Sequence, residues 1–104
     1  MEFPAIVIYP AGQFGSKAEQ RFSITVELYD KDDKTDLGVC EKIWRMMNRV
    51  DGSPIEKYIS LYQCRSISVG DIVFFRSKYF RCKVLGCEEI LEHDVKGPVP
   101  SYFE

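Results

Sequence analysis

Side chains that could do chemistry are few in this sequence, and their spacing excludes more than it suggests. A single histidine, His93, stands near the C-terminal end, and no serine or cysteine sits in a nucleophile motif. Nucleophilic catalysis needs a base within hydrogen-bond reach of the nucleophile, so no triad and no catalytic residue is expected. The four cysteines, Cys40, Cys64, Cys82 and Cys87, form no C-x-x-C pair. Zinc sites are read from such pairs, so the expectation is no metal and no cofactor, with the thiols acting as small apolar side chains in a reducing compartment. Asp30, Asp32, Asp33 and Asp36 crowd one stretch but lack the calcium-loop spacing and its glutamate, which reads as a solvated acidic turn. Gly12-Gln13-Phe14-Gly15 is too short to cradle a phosphate and leads into no helix.

The basic residues are the better candidates. From Arg65 to Lys83 the chain carries Arg65, Arg76, Lys78, Arg81 and Lys83 against one acid, Asp71. From Glu88 onward acids dominate, although the whole chain has a net charge of only −2. Arg65, Arg76, Lys78, Tyr79, Arg81 and Lys83 are therefore the candidate binding residues. A strand with Tyr79 between cations could follow a phosphate backbone. The same residues also blunt an exposed sheet edge against aggregation.

These side chains need elements to hold them. Ser66, Ser68, Gly70 and Asp71 form a turn before the run Ile72–Phe75. Gly70 can take a positive φ without a steric cost, and Asp71 can accept backbone N–H bonds there, so the four are read as structural. Ile72–Phe75 and Tyr79–Leu85 are expected as a hairpin around Arg76-Ser77-Lys78, with Phe80, Cys82 and Val84 inward and Tyr79, Arg81 and Lys83 outward. Ala5–Tyr9 reads as a strand apolar on both faces. Phe22–Tyr29 alternates with period two and has one wet face. These two are expected to pair antiparallel.

Cys40, Ile43, Trp44, Met47 and Val50 recur at helical spacing, predicting a helix over Asp36–Asp51 that starts at Thr35 or Asp36 and stops at Gly52. Glu56–Cys64 fits a short helix or a strand. Gly86–Leu91 closes the fold as a strand or a turn of helix.

At 104 residues, 45% apolar and 29% charged, the composition fits one globular domain. The fold class expected is α+β: a small, curved, mainly antiparallel sheet, open or partly closed as a barrel, with one principal helix on it. Residues 1–91 are read as the domain and 92–104, with Gly97, Pro98 and Pro100, as a flexible tail. No apolar run approaches a membrane span and no basic leader precedes an apolar core, so a cytoplasmic location is expected.

The block Arg65-Ser66-Ile67-Ser68-Val69-Gly70-Asp71-Ile72-Val73, followed by Tyr79-Phe80-Arg81-Cys82 and Gly86-Cys87-Glu88-Glu89-Ile90, resembles the YodL-like family. The segment Cys40–Arg49 looks like that family's helix, and Cys87 stands where the family usually has an aromatic residue. The resemblance implies association with phages, plasmids and other mobile elements, and implies no known reaction. On that footing the chain is expected to be a non-enzymatic protein-binding module, an inhibitor or anti-defence protein whose partner is a host or element-encoded protein. Val69–Phe74 with Arg81–Val84 and Glu88–Leu91 is also similar to PUA-like, ASCH-type barrels. That likeness implies RNA or nucleotide binding, here through the Tyr79, Arg81 and Lys83 face.

Overall fold

Eight elements follow one another in the computed structural model, which describes residues 1–12, 14, 18–48 and 54–95. Strands β1 (Glu2–Tyr9) and β2 (Gln20–Glu27) pair antiparallel from Glu2 opposite Glu27 to Tyr9 opposite Gln20. Helices α1 (Asp36–Met46) and α2 (Ile55–Tyr62) come next, then β3 (Ile72–Phe75), β4 (Lys78–Cys82), β5 (Cys87–Ile90) and the helical turn α3 (Glu92–Val95). The strands form one sheet in the order β2-β1-β3-β4-β5, antiparallel at every step.

Sequence character decides strand position. The continuous apolar runs of β1 and β3 are neighbours in the sheet interior, where both faces can be covered. The alternating β2 and the glutamate-bearing β5 take the edges, where one side of the strand meets water. The sheet stays open between those edges, so the barrel closure considered above does not form.

On one face β2 turns Phe22, Ile24 and Val26 inward, and Leu28 follows them. They pack with Val39, Cys40 and Ile43 of α1, with Met47, and with Ile55 and Tyr58 of α2. Thr35 caps α1: its hydroxyl accepts from the Gly38 N–H at 3.1 Å, while Asp33 accepts from the Thr35 N–H at 2.9 Å. The helix ends at Met46, short of Asp51. Met47 leaves helical geometry at φ −100°, ψ 15°, yet its side chain remains fully buried. Val50, Asp51 and Gly52 lie outside the described residues. Trp44 packs against the core only partly buried, so Ile43 and Met47 carry the stripe.

The ambiguous segment is helical. Gln63, in left-handed conformation at φ 54°, ends α2 with its N–H bonded to the Ile59 carbonyl. The Tyr58 hydroxyl accepts from the Thr25 N–H at 3.0 Å, which occupies an outward-pointing donor of the β2 edge. β4 stops at Cys82 and not at Leu85. Lys83 to Gly86 form the turn into β5, with Lys83 N–H bonded to the Gly86 carbonyl, and Val84 is 82% exposed. The inward position expected for Val84 is thereby corrected: the strand has already ended when the chain reaches it.

The expected tail begins at Glu92, and its first four residues are α3. Val95 is buried there with Ile8 and Ile72 on the second face of the sheet. Among the described residues no helix is long and apolar enough to cross a membrane.

Replacing fully buried Ile43 with Ala should lower unfolding free energy by about 2–5 kcal/mol. Leu37→Ala on the exposed side of the same helix should stay within about 0.5 kcal/mol. Urea titrations of both variants give the comparison.

Candidate functional site

The turn before β3 is built around a carboxylate with no exposure. Asp71 accepts from the Ser68 N–H at 2.7 Å and from both terminal nitrogens of Arg65, at 2.6 and 2.8 Å. Arg65 also donates to the Ser66 carbonyl at 2.9 Å. Its guanidinium lies 3.9 Å from the Tyr9 ring centre and 4.7 Å from that of Phe14. The Tyr9 hydroxyl donates to the Arg65 carbonyl, and burial holds that phenol well above its ordinary pKa, so it remains a donor. Burial works against the Arg65 charge, and the Asp71 hydrogen bonds more than offset it, leaving the guanidinium pKa raised.

Gly70 supplies the geometry. Its φ is +95°, at the third position of a turn closed by the Asp71 N–H bond to the Ser68 carbonyl. A side chain there would be strained. Gly70 N–H then reaches the Cys82 carbonyl at 2.9 Å, and Cys82 N–H returns to the Asp71 carbonyl at 2.8 Å. The turn is thus fastened to β4. Arg65, a candidate binding residue, is held within it.

The remaining candidates separate. Arg76 and Ser77 both have positive φ, 52° and 62°, as a two-residue turn with the strands' own twist requires. From that tip Arg76 donates to the Lys34 carbonyl at 2.8 Å and to Asp36 at 3.1 Å, and Lys78 reaches the other Asp36 oxygen at 3.1 Å. Tyr79 and Arg81 share the opposite face of the sheet. Tyr79 packs on Phe74 with ring centres 4.5 Å apart, and Arg81 donates to the Asp94 carbonyl at 3.0 Å. Lys83 pairs with Glu88 at 3.4 Å in the far turn. Lys78 and Lys83 are five residues apart, about 17 Å along an extended chain. The six residues therefore make no single basic surface.

The second sheet face carries the candidates Tyr79 and Arg81, and beside them apolar residues that were not among the candidates. Two registered rows cross it: Arg21, Ile8, Ile72, Arg81 and Glu88, then Ser23, Ile6, Phe74, Tyr79 and Ile90. Val95 covers the first row at Ile8 and Ile72, which are fully buried. Ile6, Phe74, Tyr79 and Ile90 of the second row remain half-buried. The signal was present in the two-sided apolar runs of β1 and β3.

A further open groove of about 840 Å³ lies between the β2 edge and the two long helices, lined in part by Glu27, Tyr29, Asp32 and Lys42. Two of its charges meet, Lys42 at 2.6 Å from Asp32, and the same ammonium lies 4.8 Å from the Tyr29 ring centre. Among the described residues no group of three histidine, cysteine, aspartate or glutamate side chains is set to hold a metal ion.

Comparison of the chain with models of known families, with curated proteins and with solved structures finds no match.

Asp71→Ala leaves the Ser68 N–H and the Arg65 guanidinium, itself one-third exposed, without their acceptor and should cost about 1–3 kcal/mol. Combining it with Arg65→Ala should cost less than the sum of the single changes, by about 0.5–3 kcal/mol, in urea unfolding. A second outcome concerns acid. Hydrogen bonds from Lys78 and then Arg76 hold the Asp36 carboxyl below its ordinary range. A lowered folded-state pKa adds stability above the unfolded value, about 3.9, which is lost as pH falls through the folded value. Asp36→Asn should therefore make the fall of melting temperature below about pH 4 shallower.

Proposed function

We propose that the chain is a non-enzymatic protein-binding module that docks through the second face of its sheet. The observation that carries this reading is the half-covered row Ile6, Phe74, Tyr79 and Ile90, next to Ile8 and Ile72, which α3 covers. Removing such apolar area from water favours association, and aromatic side chains are the residues that most often anchor a protein interface. The basic side chains support the same choice over nucleic acid. Lys78, Arg76 and Lys83 each meet a carboxylate, and Arg65 is bound to a buried one. A phosphate backbone would have to displace those partners. The resemblance of the Arg65–Val73 block to YodL-like proteins supports a phage or mobile-element origin. Inhibition of a cytoplasmic host protein, as an anti-defence factor, is the role we assign on that basis.

The test compares the protein with Ile90→Glu and Tyr79→Ala variants of unchanged melting temperature. Cross-linking to a partner from nuclease-treated host lysate should persist for the parent and fall at least about tenfold for the variants, as expected when an interface anchor is lost. The competing reading is nucleic-acid binding. Gel-shift binding to RNA or DNA with a log–log salt slope of roughly −2 to −4, insensitive to Ile90→Glu and abolished by charge reversal at Arg81 and Lys83, would establish that class and reject the docking face.

A further inference from the structure

Three of the four cysteines gather where α1 meets the β4–β5 hairpin. Cys82 and Cys87 stand directly opposite each other in the ladder. The next pair, Lys83 and Gly86, carries a hydrogen bond, whereas the Cys82 N–H turns away to the Asp71 carbonyl. Bonded and non-bonded pairs alternate in an antiparallel ladder, so Cys82 and Cys87 form a non-bonded pair, whose Cα atoms sit about 4.5 Å apart. Disulfides span Cα separations of about 4.4–6.8 Å, so these two sulfurs can join without either strand moving far.

Cys40 of α1 reaches the same point from the helix layer. Hydrogen bonds from the Cys40 and Cys82 thiols stabilise a Cys87 thiolate and hold its pKa well below the ordinary thiol value. Hydrogen bonding to Cys87, together with burial, pushes Cys40 and Cys82 upward. Accessibility follows the same division. Cys40 and Cys82 are buried at 2% and 1% exposure, and Cys87 is half-open to solvent. A cysteine that reacts with a dissolved oxidant is an accessible thiolate, while a buried thiol reacts only with a group held against it.

The geometry points to a peroxide-reactive thiol site in which Cys87 is the oxidised sulfur and Cys82 its resolving partner. In the first step the Cys87 thiolate attacks the distal oxygen of a hydroperoxide. The O–O bond breaks, an alkoxide or hydroxide leaves and takes a proton from solvent water, and the sulfur, now carrying the transferred OH, becomes a sulfenic acid. In the second step the Cys82 sulfur attacks that of Cys87. The S–O bond breaks, hydroxide leaves with the Cys82 proton as water, and the S–S bond forms. Cys82 is assigned the resolving role because the register sets it opposite Cys87 across only the Lys83–Gly86 turn. Cys40 is a hydrogen-bond donor to the thiolate. The product would lock the turn that carries exposed Val84 and Leu85. This site is on the helix-covered face and is independent of the docking face proposed above.

The full reduced chain is treated with hydrogen peroxide, its remaining thiols are alkylated, and peptides are mapped by mass spectrometry without reductant. Cys82 and Cys87 should disappear together, joined in one chain with the loss of two hydrogens, while Cys40 and Cys64 are alkylated. Dithiothreitol should restore both thiols. In a Cys82→Ala variant, dimedone should trap a sulfenic acid at Cys87. In a Cys87→Ser variant, peroxide consumption should fall at least about tenfold, since only buried thiols remain. The parent protein alone can overturn the proposal, even if a variant fails to fold. Oxidation that spares Cys87, a disulfide to Cys40 or Cys64, or only cross-links between chains would each reject it.

Discussion

An ionised carboxylate with no exposure to water dominates the design of this fold. Removing Asp71 from solvent costs several kcal/mol unless every oxygen is matched, and here a bidentate guanidinium and a backbone N–H match them. The pair ties together parts of the chain that are distant in sequence. Through the Arg65 carbonyl it holds Tyr9 of β1, and through the Asp71 carbonyl and Gly70 N–H it holds Cys82 of β4. The two strands that flank β3 are thus joined to the turn from which β3 starts. Had Arg65 been free to face solvent, the buried aspartate would have no countercharge.

A sheet whose central strands are apolar on both sides needs cover on both sides. Helices α1 and α2 provide it on one face, over a core that includes Val7, Ile24, Val73, Phe75 and Phe80. On the other face the cover among the described residues is the helical turn Glu92–Val95. That is enough for Ile8 and Ile72 and too little for Ile6, Phe74, Tyr79 and Ile90. The asymmetry is the physical source of the docking reading.

Charge is distributed by the fold to a different end than its order along the chain suggests. The basic segment and the acidic loop are separated in sequence, but the hairpin tip carries Arg76 and Lys78 onto Asp36 at the start of α1. Exposed pairs of this kind contribute little stability, about 0–1 kcal/mol each. Their effect is to quench a local positive field. The β4–β5 turn brings Cys87 beside Cys82, and α1 brings Cys40 to them, so thiols scattered through the sequence become neighbours.

Local pattern made much of the architecture legible. Period two in Phe22–Leu28, helical spacing from Cys40 to Met47, a hydroxyl cap at Thr35 and a glycine before Asp71 each act over a few residues, so the sequence alone determined an α+β chain with its main helix and its turn. The strand-or-helix ambiguity at Ile55–Tyr62 was beyond such reading, because an eight-residue segment with Ile, Tyr and Leu suits either state until its neighbours choose. The turn aspartate was recognisable as an acceptor. That Arg65 would be its countercharge was not, since a cation six residues away can as easily face water. The candidate cations were found and their common surface was not, because side chains close in sequence leave a strand in opposite directions. Which apolar face stays half-open, and which cysteines meet, depends on strand order and register. Those are long-range choices set by packing, and only the tertiary structure decided them.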